Sequence, residues 1–590
     1  MRATLVHRGP DEGSTDILGR CALGHQRLRV LDPEGGRQPA ASESGDVVAV
    51  FNGELYNFRE LRAELGARGH VVPGTGDTQV IPHLYEEHGP RFVERLSGMF
   101  AIALWDRSRD RLVLARDRVG KKPLLWTRLP DGSLAFASEL KALLTLAGLR
   151  RELDRAALDA YLALQYVPGD RTALEGIHKL APGHVLVAER DAERVERFWR
   201  PEPNEADLTE QEWLERVRET VRAAVERRLV SDVPLGALLS GGVDSSIVVA
   251  LMAQAAARPV RTFTVGFPDA RYDERAFARK LAERYATDHV EIEVEPDVSA
   301  TLPRLAEALD EPLGDEAALP LYVVCEHARQ HVTVALTGDG GDEAFGGYER
   351  YAAHELAARV PRRLARAAGR VLRSPGREPR SPRLRAARFF DAASAPPTER
   401  YARLVEVFAA SQRAALWTQD ARPTVELLGT RREKGITGLQ LLDLETYLPG
   451  DLLPKADLTS MAHSLELRSP FLDHDVVELG LALPDRLKLR GRTGKIALRR
   501  AFARDLPAEI TRRTKRGFGV PLARWFRGEL RPLAYDTLLD TRARQRDLFR
   551  PEAVQRLLDD HVAGRADHGH RLWCLLMLEL WLRTHVEAST

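Results

Sequence analysis

Serine, glycine and acidic residues between positions 239 and 246 have the types and spacing of a phosphate-binding turn. The segment Ser240-Gly-Gly-Val-Asp-Ser-Ser246 follows an apolar run ending at Leu239 and precedes a predicted helix. Adjacent glycines allow a tight turn beside a ligand, and a helix start directs unpaired N–H groups towards it. The candidate contacts to pyrophosphate and one Mg²⁺ are Ser240, Gly241, Gly242, Asp244, Ser245 and Ser246. The alternative is a plain glycine turn between a strand and a helix.

A second cluster of glycines and acids, Thr337-Gly-Asp-Gly-Gly-Asp-Glu343, follows another apolar run. Loops at the carboxyl ends of parallel strands face one crevice, so both clusters could line a single nucleotide site. Asp339 and Asp342 would then contact a metal ion, an amine or a ribose; the alternative is a solvated acidic turn. A third acidic group, Asp310-Glu311-Pro312 followed by Asp315-Glu316, is a candidate source of a second carboxylate for Mg²⁺, because that ion takes only one or two protein carboxylates besides phosphate oxygens.

The segments around these clusters alternate between strand and helix patterns. Strands are predicted at 236–239, 260–265 and 288–294, and helices at 244–257 and 273–285. Such alternation predicts a parallel sheet with helices on both faces. Thr209 is the expected N-cap of a long helix that precedes the first strand. From about Tyr351 onward the chain is predicted to be mainly helical.

The first part of the chain has a different pattern. Short β-like runs at 47–51, 99–105 and 111–115 surround a helical pattern at 58–68, which predicts a mixed α and β unit. Two prolines near position 202 interrupt both patterns. We therefore expect two domains, at 1–200 and 205–590.

Length and composition exclude several classes of protein. A chain of 590 residues is too long for one core, and 44% hydrophobic with 29% charged residues is ordinary globular usage. A net charge of +1 favours neither nucleic acid nor an anionic membrane as partner. No apolar run reaches the roughly 18 residues that span a bilayer, and no secretory signal follows Met1, so a cytoplasmic location is expected. The three cysteines are too scattered for a disulfide framework or a paired-cysteine zinc site.

Residues 359–388 are rich in arginine, with Glu378 as the only acid. One interpretation is a contact to RNA or polyphosphate. The interpretation we favour is a solvated, partly mobile connector, because no aromatic residues are interleaved for base stacking.

Motifs along almost the whole chain resemble those of the glutamine-hydrolysing asparagine synthetases of the bacterial type. The serine and glycine segment is similar to the pyrophosphate loop of ATP pyrophosphatases that adenylate a carbonyl oxygen. The other matching segments are His7-Arg-Gly-Pro-Asp-Glu-Gly13, Gly24-His-Gln-Arg-Leu28, Phe51-Asn-Gly-Glu-Leu-Tyr-Asn57, Gly76-Asp-Thr78, Arg116-Asp-Arg-Val-Gly-Lys-Lys-Pro-Leu124, Thr337–Glu343 with Gly346-Gly-Tyr348, Ser460–Asp473 and Lys515-Arg-Gly-Phe-Gly-Val-Pro521.

The resemblance implies an α/β protein with two domains. The first would be an N-terminal-nucleophile glutaminase, a sandwich of two sheets between helices. Within it, Arg27 would bind the glutamine carboxylate, Asn52 and Gly53 would form the oxyanion hole, and Glu54 and Asp77 would hold the amine end. The second would be a parallel α/β ATP-pyrophosphatase domain with a mainly helical carboxyl-terminal part.

One segment departs from the family pattern. Members begin Met-Cys-Gly, with the cysteine as nucleophile, whereas this chain reaches His7 almost at once. Cys21 lies in an apolar, strand-like segment and does not replace that cysteine. Because glutamine hydrolysis needs an activated nucleophile, we expect the chain as written to use free ammonia. A misplaced start codon is the rival explanation.

In the second domain the resemblance implies attack of a carboxylate on the α-phosphate of ATP, followed by attack of ammonia on the acyl-adenylate. Asp244 and Asp310 would hold Mg²⁺, with the neighbouring Glu311 as the alternative to Asp310, and Lys515 would be the catalytic cation on the α-phosphate. Asp339 would position or deprotonate the amine. Leu239, Val265 and Gly338 would contact the nucleotide.

Three functions remain open from the sequence. The first is asparagine formation from aspartate, ATP and ammonia or glutamine. The second is a related ligase that amidates or cyclises another carboxylate, as β-lactam synthetases do. The third is a catalytically silent homologue, which the intact serine and glycine loop disfavours. Relatives often dimerise, so a homodimer is possible.

Overall fold

Two α/β units follow each other along the chain. The computed structural model describes residues 1–190, 192–203, 206–269, 271–293, 297–372, 382–429, 435–513 and 519–587. Among these residues, no helix is both long enough and apolar enough to cross a membrane.

The first unit contains eleven strands and four α-helices among the described residues. The strands are β1 Glu12–Leu18, β2 Cys21–Arg27, β3 Ala40–Ala41, β4 Val47–Leu55, β5 Gly98–Asp106, β6 Arg111–Arg116, β7 Leu125–Arg128, β8 Leu134–Ala137, β9 Ile177–Lys179, β10 His184–Glu189 and β11 Ala192–Arg197. The helices are α1 Phe58–Ala67, α2 Val80–His88, α3 Leu140–Leu143 and α4 Arg155–Leu164.

The centre of this unit is an antiparallel sheet with strand order β11-β10-β6-β5-β4-β3. Its middle strands are apolar on both faces, so each face is covered. Phe51, Phe100 and Ile102 pack with apolar residues of α1 and α2 on one face. Trp105 and Leu114 pack on the other face with residues that include those of the three-stranded sheet β8-β7-β9. The expected sandwich of sheets and helices is confirmed.

The second unit begins with helices and parallel strands. The strands are β12 Leu235–Leu238, β13 Arg261–Gly266, β14 Asp288–Glu293, β15 Val334–Leu336 and β16 Glu466–Arg468. The first helices are α5 Glu210–Arg227, α6 Val243–Ala255, α7 Arg275–Tyr285, α8 Val298–Ala308 and α9 Ala318–Ala328. As expected, Thr209 caps α5: its side chain accepts from Glu212 N–H, and the Glu212 carboxylate accepts from Thr209 N–H.

These five strands form one parallel sheet with order β14-β13-β12-β15-β16. β12 and β15 are neighbours, with Ala237 paired to Leu336. Because both strands run in the same direction, the two glycine clusters that follow them leave the sheet side by side. The predicted parallel sheet is confirmed, and its strand order explains why two clusters about a hundred residues apart meet.

The rest of the second unit is mainly helical, as predicted. Its helices are α10 Gly341–Phe345, α11 Glu349–Ala358, α12 Arg362–Leu372, α13 Pro382–Ser394, α14 Pro397–Val405, α15 Ala410–Leu416, α16 Thr424–Leu428, α17 Gly435–Glu445, α18 Leu453–Met461, α19 His474–Ala482, α20 Asp485–Lys488, α21 Ile496–Ala501, α22 Ala508–Arg512, α23 Leu522–Trp525, α24 Arg531–Leu538, α25 Thr541–Gln545, α26 Pro551–Val562 and α27 Gly569–Trp581. A short hairpin of β17 Leu489–Arg490 and β18 Thr493–Gly494 precedes α21.

The arginine-rich segment differs from the expected connector over its described part. Residues 362–372 and 382–388 belong to α12 and α13, which pack against each other. Small residues make that packing possible, because Ala365 and Ala393 are fully buried in a minor apolar cluster. Residues 373–381 lie outside the described part of the chain.

Candidate active site

A cavity of about 560 Å³ lies at the carboxyl ends of β12, β13 and β15. Both glycine clusters reach it, in agreement with the expectation that they share one crevice. The residues predicted as nucleotide contacts that line it are Leu239, Ser240, Gly242, Asp244, Ser245, Val265, Gly338 and Asp339. Two other predicted contacts, Gly241 and Ser246, do not line it, and Ser246 is fully buried in α6.

The turn between β12 and α6 is held by contacts of its own side chains, and the first residues of α6 line the cavity. Ser240 Oγ accepts from Gly242 N–H at 3.3 Å and lies 3.1 Å from Ser245 Oγ. Gly241 has φ 68°, and a Cβ at that position would lie 2.6 Å from Phe277 Cβ. The first turn of α6 therefore faces the cavity with a positive dipole end and with hydroxyl groups, which suits a phosphate.

The second glycine cluster packs directly on the first. A Cβ on Gly338 would lie 2.6 Å from the backbone nitrogen of Ser245, and a Cβ on Gly341 would lie 2.6 Å from Asp244 Cγ. Any larger residue at these two positions would push the loops apart. The glycines therefore place Asp244 against the loop that carries Asp342, which explains why two separate glycine clusters are needed.

Lys495 joins these two acids. Its Nζ contacts Asp244 Oδ2 and lies 2.7 Å from Asp342 Oδ1, and its side chain is only 4% exposed. The residue has φ 58°, in the left-handed region, immediately before α21. A buried ammonium between two carboxylates at the floor of the cavity is suited to meeting a phosphate group, because charge interactions are strong where water is excluded.

Sequence reasoning missed Lys495. It lies 251 residues from Asp244 along the chain, and its neighbours Thr493 and Gly494 have the composition of an ordinary turn. Its place directly between a hairpin and a helix is visible only in the fold, so the sequence offered no signal for it. Lys515, which the sequence suggested as the catalytic cation, lies outside the described residues.

Asp244 and Asp342 are also the residues that could hold Mg²⁺. Both carboxylates approach a single cation, the Lys495 ammonium, so they converge on one point. A pair of carboxylates beside a phosphate-binding turn fits the preference of Mg²⁺ for one or two protein oxygens together with phosphate oxygens.

The structure does not bring Asp310 to this cavity. Its Oδ2 accepts from the N–H of Leu140 at 2.6 Å, and its Oδ1 lies 3.7 Å from Lys141 Nζ, both in the first domain. Burial raises the pKa of Asp310 to about 7, and the Lys141 ammonium opposes that rise. Asp310 therefore contributes to the contact between the domains. Asp315, from the same acidic group, lines the cavity instead and pairs with Lys455.

Asp339 lines the cavity as expected, and its orientation is fixed. Thr337 Oγ1 donates to Asp339 Oδ2 at 2.8 Å and lies 3.0 Å from Ser469 Oγ. The cavity also carries basic side chains, which suit a polyanionic ligand. They are Lys455, Arg492, Lys495, Arg499, Arg512 and Arg513.

The residues assigned to glutamine lie in the first domain. Glu54 and Asp77 are buried, and Leu55 N–H donates to Asp77 Oδ2 at 2.9 Å. Burial raises the pKa of Asp77 to about 6 and that of Glu54 well above its ordinary value, which Arg468 opposes. Asn52 Nδ2 lies 3.5 Å from Ser138 Oγ, and Gly53 has φ 150°. A Cβ on Gly53 would lie 1.9 Å from the Met99 carbonyl oxygen, so only glycine fits there.

The Arg27 guanidinium is directed at backbone carbonyls. Its Nη2 donates to the carbonyl oxygens of Leu31 at 3.1 Å and Asp32 at 2.7 Å. Its Nη1 donates to the Pro33 carbonyl at 3.1 Å and lies 3.4 Å from Glu12 Oε2. In this arrangement Arg27 stabilises the segment after β2. To bind a glutamine carboxylate, its guanidinium would have to give up some of these hydrogen bonds to backbone carbonyls.

None of the three cysteines has the environment of a nucleophile. Burial raises the pKa of Cys21 to about 11, and it also raises the pKa values of the fully buried Cys325 and Cys574. A thiol with a raised pKa carries little thiolate at neutral pH and reacts slowly.

Comparison with known proteins agrees with this arrangement of two domains. A sequence model of the asparagine synthase family matches residues 216–583, and one of the glutamine amidotransferase domain matches residues 1–199. Asparagine synthetase [glutamine-hydrolyzing] 1 of Bacillus subtilis is 32% identical over 600 residues, covering 100% of this chain and 93% of that protein. Asparagine synthetase [glutamine-hydrolyzing] 3 of the same organism is 31% identical, covering 87% of this chain and 82% of that protein. An amidase of Gibberella zeae, named chry2, is 30% identical, covering 89% of this chain and 85% of that protein.

These matches span the cavity, both glycine clusters and the residues assigned to glutamine. The chain therefore belongs to the asparagine synthase family of carbon–nitrogen ligases, whose members form amides at the expense of ATP.

Proposed function

We propose that this chain converts aspartate to asparagine through an acyl-adenylate, with release of AMP and pyrophosphate. The observation that carries the proposal is the meeting of Lys495, Asp244 and Asp342 at the phosphate-binding turn. Aspartate is proposed as substrate because two relatives that align along most of the chain are named asparagine synthetases.

In the first step a carboxylate oxygen attacks the α-phosphorus of ATP, and the bond to the β-phosphate oxygen breaks. The first N–H groups of α6 and the hydroxyls of Ser240 and Ser245 hold the departing pyrophosphate. The Lys495 ammonium stabilises negative charge that grows on the phosphate oxygens. Asp244 and Asp342 would hold Mg²⁺, which when bound neutralises part of the phosphate charge. Leu239 and Val265, which line the same cavity, are the proposed contacts of the adenine.

In the second step ammonia attacks the acyl carbon, AMP leaves, and the nitrogen loses a proton. Asp339 is the proposed group that positions the ammonia or accepts this proton. Its carboxylate is oriented by Thr337 at the wall of the cavity, which supports that role.

Ammonia is the proposed donor for this 590-residue polypeptide, because all three of its thiols have raised pKa values and none is suited to attack glutamine. Purified protein with ATP, aspartate and ammonium should form AMP, pyrophosphate and asparagine. The same protein with glutamine in place of ammonium should release no glutamate. ADP and orthophosphate as nucleotide products would contradict the adenylation step, and glutamate release would contradict the choice of donor.

A second candidate is amide formation on a different carboxylate. It is favoured by the similarity to an amidase that covers 89% of this chain. Pyrophosphate release across a panel of amino-acid and larger carboxylates, each with ammonium, separates the two. A carboxylate turned over at least about tenfold faster than aspartate, which is about 1.4 kcal/mol of transition-state discrimination, would replace aspartate as the substrate.

A further inference from the structure

Four side chains with metal-binding atoms meet on the helical side of the first domain, and none of them lines the cavity described above. Glu43 lies in the turn between β3 and β4, and His70 follows α1. His83 and Glu86 both belong to α2, three residues apart and therefore on one face of the helix. One candidate ligand atom from each residue lies within 4.8 Å of the other three.

The two histidines approach the same carboxylate. His83 Nδ1 lies 2.8 Å from Glu43 Oε2, and His70 Nδ1 lies 3.2 Å from Glu43 Oε1. The two imidazole rings meet edge to face, with centroids 5.3 Å apart. Donor atoms about 3 Å apart have nearly the spacing that two ligands adopt around a tetrahedral ion with bonds of about 2 Å.

His83 is the observation that points to an ion. Its side chain is fully buried, yet neither ring nitrogen makes a hydrogen bond within the described part of the chain. The short approach to Glu43 therefore lacks the alignment of a hydrogen bond. A buried polar group without a hydrogen bond costs about 1 to 3 kcal/mol, and a metal bond to Nδ1 would remove that cost for one of the two ring nitrogens.

We propose that Glu43, His70, His83 and Glu86 form a binding site for one Zn²⁺ ion. Two imidazoles favour Zn²⁺ over Mg²⁺ or Ca²⁺, which prefer oxygen ligands alone. Two carboxylates balance the charge of the ion. Four protein ligands leave no open position, so the site is structural and does not activate water.

The surroundings of the four residues support this assignment. His70 would bind through Nδ1, which leaves its Nε2, 3.2 Å from Glu87 Oε1, to donate to that carboxylate. Glu87 is itself held by Arg68 at 2.6 Å. A ligating histidine whose second nitrogen is bound by a carboxylate is a common outer arrangement at zinc sites. Glu43 has a side chain that is 39% exposed, so the ion can enter from solvent.

The bound ion would join three segments that are separate along the chain. They are the turn before β4, the residues after α1, and α2. β4 carries Asn52, Gly53 and Glu54 at its far end, so the ion would stabilise the layer on which the residues assigned to glutamine are built. Its effect is therefore expected on stability of the first domain and not on the adenylation chemistry.

The test uses the full chain, stripped with a chelator and then titrated with ZnCl₂ and, separately, CoCl₂. One equivalent should bind with a Kd below about 1 μM, and excess Mg²⁺ should not compete. Bound Co²⁺ should give the intense visible absorption of a four-coordinate ion. The melting temperature should rise with Zn²⁺ concentration, because binding only the folded state stabilises it.

Two variants test the site without disrupting the fold, because the side chains that they replace, those of His70 and Glu86, are not fully buried. His70→Ala and Glu86→Gln should each weaken Zn²⁺ binding by at least about tenfold while leaving ammonia-dependent turnover unchanged. His474→Ala is the matched control, since it removes a histidine from a second histidine–carboxylate group among the described residues, Asp473–Asp475, and should bind Zn²⁺ as the wild type does. A Kd weaker than about 1 μM, a six-coordinate Co²⁺ spectrum, or unchanged affinity in His70→Ala would overturn the proposal.

Discussion

Arg468 Nη2 lies 3.1 Å from Glu54 Oε1, so a side chain of the second domain pairs with a residue assigned to glutamine binding in the first. Arg468 is fully buried, its Nε donates to Glu466 Oε1 at 2.8 Å, and its Nη1 donates to the Val230 carbonyl at 2.6 Å. Arg468 therefore pairs with two carboxylates, those of Glu466 and Glu54. The Arg468 guanidinium thus links the edge of the parallel sheet, beside the nucleotide cavity, to a residue assigned to glutamine binding.

Replacement of Arg468 by Met should therefore destabilise the protein. It removes the shared partner of two buried carboxylates, and breaking a buried pair costs about 3 to 5 kcal/mol. Denaturant unfolding followed by fluorescence measures the change. The exposed pair of Arg194 and Glu196 provides the control: Arg194→Met should unfold as the wild type does. Equal stability of Arg468→Met and wild type would mean that the contact contributes nothing.

Lys495→Ala should lower the rate of pyrophosphate release by about 100- to 1,000-fold, the usual effect of losing one group that stabilises transition-state charge. It also leaves Asp244 and Asp342 facing each other without their common cation, so ATP should bind more weakly. Lys280→Ala, which removes a surface lysine paired with Glu509, is the control and should retain full activity. A rate within a few-fold of wild type would remove Lys495 from the mechanism.

Lys515 remains a separate prediction from the sequence. Lys515→Ala should abolish pyrophosphate release while leaving ATP binding measurable by calorimetry. If only Lys495→Ala impairs turnover, then Lys495 alone is the catalytic cation; if both do, two cations serve the phosphates.

Gly338→Ala tests the contact between the two glycine clusters. The added Cβ would lie 2.6 Å from the backbone nitrogen of Ser245, so either the phosphate-binding turn or the second loop must shift. We expect a loss of stability of about 1 to 3 kcal/mol and much weaker ATP binding. Gly66→Ala is the control: this helical glycine has open space around it, so the change should be neutral or slightly stabilising. Normal ATP affinity in Gly338→Ala would show that the loops need not touch.

Cys21 provides a test by pH. With a pKa of about 11, roughly one thiol in a thousand is thiolate at pH 8. Because the thiolate is the form that reacts, alkylation by iodoacetamide should speed up about tenfold for each pH unit between 8 and 10. Mass spectrometry of the labelled peptide measures this rate. A plateau near pH 8.5 would indicate an ordinary thiol, and Cys21→Ser should leave ammonia-dependent asparagine formation unchanged.

The parts of the site that could be predicted from sequence are those built from local chain. The turn at Ser240–Ser246 combines its glycines, hydroxyls and carboxylate within seven residues, and a strand and a helix on either side fix its direction. The second glycine cluster, Thr337–Glu343, likewise combines its glycines and carboxylates within seven residues that follow a strand. The two clusters meet because their strands are parallel, and a parallel sheet could be predicted from the alternation of strand and helix patterns alone.

The parts that could not be predicted depend on distant packing. Asp310 and Asp315 are five residues apart and chemically alike, yet α9 and Lys455 draw only Asp315 into the cavity while Lys141 holds Asp310 between the domains. Lys495 reaches Asp244 only because a hairpin and α21 fold back over the second glycine cluster. No local pattern distinguishes such a lysine from the others in the chain.

The left-handed backbone of Lys495 has a practical consequence for protein engineering. A lysine pays roughly 1 kcal/mol for that conformation, and glycine does not. Glycine at this position would relieve that strain but would also remove the buried ammonium that pairs with Asp244 and Asp342, and breaking a buried ion pair costs about 3 to 5 kcal/mol. A mutant library sorted only for heat resistance should therefore keep lysine at position 495, although the backbone there favours glycine.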